Sequence, residues 1–571
     1  MSPKRCILLL AVCAALLWAL PASAASKKKT ADPAELYVSV TACEDGAAMP
    51  SASVAWYTGL DGKYLLLPGA ADLDELRVWF SGTGETLTVN GQTLRSGDRL
   101  TGVADGTVLE ITMGDTTTQV QVEVGSELAS LFVTTESGSM ATVHKDKDNK
   151  EAGTLFFLNP DGTTGYDGGM EHIKMRGNTA PSLDKKNYGI KLENGANLLG
   201  MGKAKRWVLL GSYRDHSMLR NQIVYSMAAY AGLRYTPEQA QVDVYMNHEY
   251  YGTYLLCEKI EINESRVDIA DLDAANKAVN DQPLDSYKVT GNKGRAKNNQ
   301  YKAYALENDP EDITGGYIIE YENYRVRYGY VACAYSTAKG KIIVLKDPEI
   351  VSVAEMEYIS SFIQGYENAI FAKDGIDKAT GKRYDEFVDF DSLVTKYMLE
   401  EISMNEDGNG SSQYYFKPSD SESTVAFAGP CWDYDSTFAC FSPSTSRTRH
   451  LQTDILQLVT VNSSDYWWAQ LYSKDEFKEG VYAKWASTYR TAMQILLGEA
   501  EDPTGTLLSV DAYAGAIAQS AEMNFIRWPI SKSGSPRNTK RTGQTWEANL
   551  TFLKKIISER YTFLEKKWGK E

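Results

Sequence analysis

The spacing of apolar and polar positions changes once along this chain, near residue 128. Over residues 36–124, short alternating runs such as Leu76-Arg77-Val78-Trp79-Phe80 and Val120-Gln121-Val122-Glu123-Val124 are separated by Asn90-Gly91, Ser96-Gly97-Asp98 and Asp105-Gly106. Alternation puts every second side chain on one face of a strand, and these turn signals recur at strand-length intervals, so the stretch predicts a small all-β sandwich. From residue 128 to the C-terminus the pattern is mixed. Strands are predicted over residues 129–134, 154–158, 171–175, 185–192, 241–246 and 250–258. A helix is predicted over residues 214–230, with Asp215 or Ser217 as its cap, Leu219, Ile223, Met227 and Tyr230 at helical spacing, and Gly232 at its end. Further helices are expected over residues 349–371, 390–404 (capped by Asp391 or Ser392), 475–499, 511–523 and 545–568. Residues 271–311 are polar and read as an insertion or mobile loop.

Two patterns carry candidate chemistry. Tyr414-Tyr415-Phe416 and Val425-Ala426-Phe427 flank a polar turn and predict a hairpin. It would carry Asp407 just before its first strand, with Asp433 and Asp435 just after its second. Carboxylates brought together in this way can orient a nucleophile and hold hard cations through oxygen, or they can simply be two acidic turns on a solvated rim. Lys191 lies between Ile190 and Leu192, so on an alternating strand it faces away from both. That is the placement of a lysine reaching into a cleft, and equally of one on a solvated polar face.

Composition narrows the class. With 571 residues, 43% hydrophobic and 23% charged, the chain is a folded protein of roughly two to four domains. Lys4 and Arg5 precede an apolar run over residues 6–20 and the small-residue stretch Pro21-Ala22-Ser23-Ala24, which predicts an export signal cut after Ala24. Cleavage would make the mature chain two charges more negative than the formal −16. That balance disfavours general binding to nucleic acid or anionic lipid. No second apolar run is long enough to span a bilayer. Cys6 and Cys13 would leave with the signal; Cys43, Cys257, Cys333, Cys431 and Cys440 remain, an odd number without the density of a disulfide scaffold. Cys431 and Cys440 flank the acidic turn, either bridged or as buried thiols. The five histidines form no His-Glu-x-x-His run, and there is no Gly-x-Ser-x-Gly elbow, which argues against a metalloprotease or a serine hydrolase.

The order lysine strand, helix, strand, strand and acidic linker (Glu258-Lys259-Ile260-Glu261) matches the small lobe of a protein kinase. Together with Arg176-Gly177-Asn178, Trp207-Val208-Leu209-Leu210, Leu219-Arg220-Asn221, Val242-Asp243-Val244-Tyr245, Tyr250-Tyr251-Gly252-Thr253-Tyr254, Gly315-Gly316-Tyr317-Ile318-Ile319-Glu320, Asn405-Glu406-Asp407 and Gly429-Pro430-Cys431-Trp432-Asp433-Tyr434-Asp435, it makes the chain resemble the CotH kinase family. These are atypical kinases named after spore coat protein H, and the likeness covers residues 128–438 with a weaker helical tail.

The residue patterns predict a multidomain chain, with signal peptide 1–24, linker 25–35 and a β-sandwich of immunoglobulin-like or cadherin-like kind over 36–126, and the resemblance implies an α+β atypical kinase-like domain with a helical C-terminal part over 128–571. It implies ATP with Mg²⁺ or Mn²⁺ as cofactors, and γ-phosphoryl transfer to Ser or Thr of a secreted or envelope protein at the bacterial cell surface or spore coat. By position, Lys191 would contact the α- and β-phosphates and Glu258 would lie at the adenine-facing linker. Asp407 would take the catalytic-loop role, Asp433 and Asp435 would hold metal, and Arg176 would face phosphate or be structural. The sequence departs from ordinary kinases in three places. No Gly-x-Gly-x-x-Gly loop precedes Lys191, the predicted helix offers no acid to pair with it, and Ser412 stands five positions after Asp407 where such kinases have a metal-binding Asn. The alternative is a weak or dead kinase fold acting as a coat or polymer-binding module, with the sandwich in contact with cell wall or glycan.

Overall fold

The computed structural model describes residues 35–44, 46–81, 86–291, 296–322, 327–440, 451–460, 465–533 and 542–569. The expected signal peptide and most of the linker lie outside the described residues.

Alternation builds the N-terminal part into two sheets. A three-stranded sheet (Ser53–Ala55, Glu35–Ser39, Arg77–Ser81) and a six-stranded sheet (Tyr57–Thr58, Lys63–Leu67, Thr116–Val124, Val108–Met113, Leu87–Val89, Gln92–Leu94) share one core. In Val108–Met113, Leu109 and Ile111 are buried while Val108 and Glu110 are exposed. Phe132, Tyr245 and Tyr250, from beyond this region, complete the same core. The Tyr245 hydroxyl donates to the Leu66 carbonyl at 3.1 Å, and the Ala55 N–H donates to the His248 carbonyl at 2.8 Å. The sheets therefore pack directly on the main domain through Phe132, Tyr245, His248 and Tyr250 rather than hang from a linker.

The main domain begins with a closed barrel of seven strands: Ala129–Thr135, Glu151–Leu158, Thr164–Arg176, Asn187–Asn197, Lys203–Leu210, Glu249–Glu258 and Gln239–Met246. All neighbours are antiparallel except the closing pair, which runs parallel from Ala129↔Val242 to Val133↔Met246. Closure removes the exposed edges that a small open sheet would leave. The interior is filled by side chains such as Leu131, Phe157, Ile190, Trp207, Val244 and Leu256.

The helix predicted over residues 214–230 is observed at Arg220–Tyr230. It starts late because the preceding residues form a turn around Asp215, whose carboxylate accepts the N–H groups of Ser217 (3.0 Å) and Arg220 (2.9 Å). Asp215 thus satisfies one orphan donor of the helix from outside the cap position.

A second antiparallel sheet has the order Gln300–Lys302, Ala334–Ser336, Ile342–Asp347, Tyr317–Glu322, Gln413–Lys417, Phe427–Ala428. Its last pair is the expected hairpin, with Tyr415↔Ala428 and Phe416↔Phe427 in register. Helices Val353–Phe371 and Phe390–Ile402 share its core with the C-terminal helices. Asp389, rather than Asp391 or Ser392, caps the second of these. The helix predicted over residues 475–499 is Asp475–Lys484 and Arg490–Leu497 joined by a wide π-type turn at Trp485–Tyr489.

Residues 271–311 correct the sequence reading. They hold a helix, Leu272–Val279, capped by Asp271, and the strand Gln300–Lys302. Their polar side chains are used inward: the Asn276 amide donates to Glu355 (3.1 Å) and the Asn280 amide to the Asn308 carbonyl (2.9 Å). Residues 292–295 of this stretch lie outside the described set. None of the five cysteines after the expected cleavage point is in a disulfide, so Cys431 and Cys440 are thiols. No helix of the described residues is long and apolar enough to cross a membrane.

Candidate active site

Strand alternation decides which side chains leave the barrel. Ile173, Met175, Tyr188, Ile190, Leu192 and Trp207 point into its core, so His172, Lys174, Arg176, Gly189, Lys191 and Arg206 are left on the outer face. The register sets His172 beside Lys191, and Lys191 beside Arg206. This face forms one wall of a cleft of about 1100 Å³. The opposite wall is built from the Leu272–Val279 helix, the residues after it, and the end of the Ile342–Asp347 strand.

The two walls differ in charge. Six basic side chains line the barrel side (Lys147, Lys150, Lys174, Arg176, Lys191, Arg206) with Asp148 the single acid. The facing wall offers five acids (Asp273, Asp281, Asp285, Asp347, Glu349) beside Lys259, Lys277 and Lys346. Of the six bases, Lys191 is paired with Glu171 and Arg206 with Glu261 (2.9 Å).

Lys191 reaches this cleft and pairs with Glu171, Nζ to Oε2 at 2.5 Å, both side chains being about one-third exposed. The acid missing from the helix comes instead from the neighbouring strand, at the register irregularity between Met170 and His172. The Glu171–Lys191 hydrogen bond is the main cause holding the Glu171 carboxyl below its ordinary range. Lys205 lies 3.7 Å from the other Glu171 oxygen.

Arg176 joins the cleft to the acids. Its guanidinium carbon sits 4.7 Å from the centre of the Trp432 ring, and its charge pulls the Asp433 pKa down. That pull is outweighed. Asp433 keeps a partly exposed surface, yet protein atoms enclose it enough for desolvation to lead, and Asp435, Asp407 and Glu320 add repulsion, so its pKa is pushed up to about 8. Asp433 adopts a left-handed backbone (φ 70°), and its Oδ2 accepts from the Ser412 hydroxyl at 3.4 Å. Burial also raises Asp435, opposed by a hydrogen bond from Ser436 and by Arg214 and Arg220. The hairpin thus brings Asp407 and Asp433 into each other's field. Among the described residues no three or more His, Cys, Asp or Glu side chains are grouped so as to hold a metal ion. Asp433 and Asp435 are close carboxyl neighbours rather than part of a finished ligand set.

Glu258 is placed differently from Lys191 and Arg176, which line the cleft. Its carboxylate is buried, bonded to Arg266 and to the Glu238 N–H (2.9 Å), and burial lifts its pKa to about 7. Its neighbour Lys259 lines the cleft. Sequence reasoning missed Glu320. This carboxylate is buried, accepts the Ser412 N–H at 3.2 Å, and lies 3.3 Å from Lys346 Nζ. Its signal was the run Tyr317-Ile318-Ile319-Glu320-Tyr321-Glu322, in which two acids, Glu320 and Glu322, are set among large apolar and aromatic residues.

No curated protein matches the chain. The family model described as CotH kinase protein matches residues 173–326 and 335–564, which take in the barrel strands from Ile173 onward, the second sheet, both acid-bearing segments and the C-terminal helices. On that match over most of its length, the chain belongs to the CotH kinase family.

Proposed function

We propose that the protein is an exported protein kinase that moves the γ-phosphoryl group of ATP to a Ser or Thr hydroxyl of a secreted or envelope protein. The observation that carries this reading is Arg176, which lines the basic wall of the cleft, packs against Trp432 and acts through its charge on Asp433. It supports phosphates lying on the barrel wall with their reactive end at the acids. Lys191 and Arg176 hold the triphosphate by charge-assisted hydrogen bonds. Asp407 accepts the proton of the acceptor hydroxyl as its oxygen bonds to the γ-phosphorus and ADP leaves. Export rests on the leader pattern of residues 1–24.

The acids fit a hard cation in kind: carboxylate oxygens are the donors Mg²⁺ and Mn²⁺ prefer, and their mutual repulsion at Asp433 marks a point of surplus negative charge. Asp433 would be the principal ligand, with Asp435 beside it. A bound cation supplies charge neutralisation of the phosphates. A second reading, a nucleotide binder with little turnover, is favoured by the lack of a finished three-ligand cluster among the described residues. Incubation of the mature chain with γ-labelled ATP and Mg²⁺ or Mn²⁺, beside Asp407→Ala and Asp433→Ala, separates the two. Label on protein that both variants lose supports the kinase; ATP binding without label supports the second reading and overturns the first.

A further inference from the structure

We infer that Glu400 is a positioning residue that fixes the Asp407 turn and the 433–435 segment relative to each other, an inference that rests on the phosphotransfer reading above. Glu400 sits near the end of the Phe390–Ile402 helix and is fully buried. Its Oε1 accepts from the Tyr434 hydroxyl (2.6 Å) and lies 2.6 Å from the Lys396 ammonium. Its Oε2 accepts from the Asn405 side-chain amide (2.6 Å). One carboxylate therefore takes a hydrogen bond from each acid-bearing segment. Beyond it, Asn405 Oδ1 accepts the Asp407 N–H at 3.0 Å, and Tyr434 lies between Asp433 and Asp435 with its own N–H donated to Asn221 Oδ1 at 2.7 Å.

The chemistry of the arrangement is specific to a carboxylate. Lys396 only donates, and Asn405 must present its amide nitrogen to Glu400 because its oxygen is held by Asp407. A glutamine at position 400 offers one acceptor and one donor. Facing Lys396 with its oxygen, it sets an N–H against the Asn405 amide. Asn405 must then turn over, and the Asp407 N–H loses its acceptor. A role confined to neutralising Lys396 would need none of these links to the acid-bearing segments. Glu400 touches neither substrate nor phosphate; it acts through Asn405 and Tyr434.

The test uses the full chain with Glu400→Gln, Tyr434→Phe and the double variant. Three quantities are read: Mn²⁺ affinity by water-proton relaxation, ATP affinity in EDTA by calorimetry, and turnover of γ-labelled ATP. Expected for Glu400→Gln is metal-free ATP affinity within about twofold of the parent, Mn²⁺ affinity about tenfold weaker, and kcat about 100-fold lower with KM for ATP unchanged, the size of loss that ångström-scale misplacement produces. Tyr434→Phe moves the same quantities less, and adding it to Glu400→Gln changes nothing further. Unchanged Mn²⁺ affinity and kcat in folded Glu400→Gln overturns the inference. If that variant fails to fold, unchanged values in Tyr434→Phe overturn it instead. A parent that binds Mn²⁺ but transfers no label defeats the kinase reading while the Mn²⁺ titration still decides the role of Glu400. A parent that takes up no Mn²⁺ defeats both.

Discussion

The guanidinium of Arg176 rests 4.7 Å from the ring centre of Trp432, the residue immediately before Asp433. A planar cation against an aromatic face has a fixed orientation that an ammonium does not share. Arg176→Ala should weaken Mg-ATP binding about tenfold or more, as loss of a charge-assisted contact does. Arg176→Lys restores charge without the stacked geometry and should recover only part of the affinity. Calorimetric titration of the three proteins decides this; a lysine variant that binds as tightly as the parent would show that stacking on Trp432 contributes nothing to binding.

Lys191 is a partly exposed side chain that lines the cleft, so on the proposed function its loss should separate stability from binding. Its side chain is 28% exposed and its partner Glu171 keeps Lys205 nearby. Lys191→Met is expected to change unfolding stability by less than about 0.5 kcal/mol, as surface substitutions do. ATP affinity should fall about tenfold or more as a phosphate contact disappears. Urea unfolding and ATP titration on the same sample check both halves. A large stability loss would place Lys191 in the barrel's structure instead of its cleft.

The two acid-bearing segments and the lysine strand were legible because their signals are local. Alternation around Ile190 and Leu192 is enough to turn Lys191 outward, and two aromatic or apolar runs about a polar turn are enough for the hairpin. The parallel pairing of Ala129–Thr135 with Gln239–Met246 was not legible. It joins strands more than a hundred residues apart, and no period along the chain encodes which strands close a barrel. Glu171 was missed because its reach to Lys191 depends on a register shift between strands. The 271–311 stretch misled because polar composition does not distinguish side chains facing water from those, such as Asn276, that bond inward. Glu258 read as a linker acid, but its fate was decided by Arg266, eight residues on, folding back over it.

Asp433 predicts opposite pH trends for folding and for metal binding. Its pKa is about 8 in the fold against an ordinary 3.8, so the folded state prefers the protonated form. Its contribution to stability is complete below about pH 4 and is lost as pH rises through about 8. Metal binding needs the carboxylate, so Mn²⁺ affinity should rise by up to about tenfold per pH unit below pH 8 and then level off, with proton release on binding. Glu258, Asp347 and Glu355 are also raised, to about 7, 6 and 7, so the comparison is with Asp433→Asn. That variant should lack this component of the thermal profile, melt roughly 2–4 °C higher at pH 8.5 without metal, and lose metal-dependent ATP binding. Parallel melting profiles for parent and variant from pH 5 to 9 would contradict the placement of Asp433 among repelling acids.

Arg560 and Glu401 form an ion pair in which both side chains are 0% exposed. The guanidinium donates to the Glu401 carboxylate at 2.7 Å and to the Glu401 and Ile455 carbonyls, each at 2.6 Å. The same carboxylate accepts the N–H groups of Gln457 (2.6 Å) and Leu458 (2.9 Å). Removing the arginine strands a buried carboxylate, which costs about 3–5 kcal/mol, so Arg560→Met should lower the unfolding free energy measured in urea by that amount. Arg560→Lys should not restore it, because one ammonium cannot reach acceptors on both the 401 and 453–455 segments in the guanidinium's geometry. Glu401 lies on the helix whose end leads into Asn405 and Asp407, and Arg560 lies on the helix Trp546–Trp568. Loss of the pair should therefore loosen the Asp407 turn before the barrel wall. Hydrogen exchange on Arg560→Met should show faster exchange at residues 401–410 than at residues 187–197. Equal protection of the two stretches would mean that the C-terminal helix stabilises the whole domain evenly and has no particular hold on the acid turn.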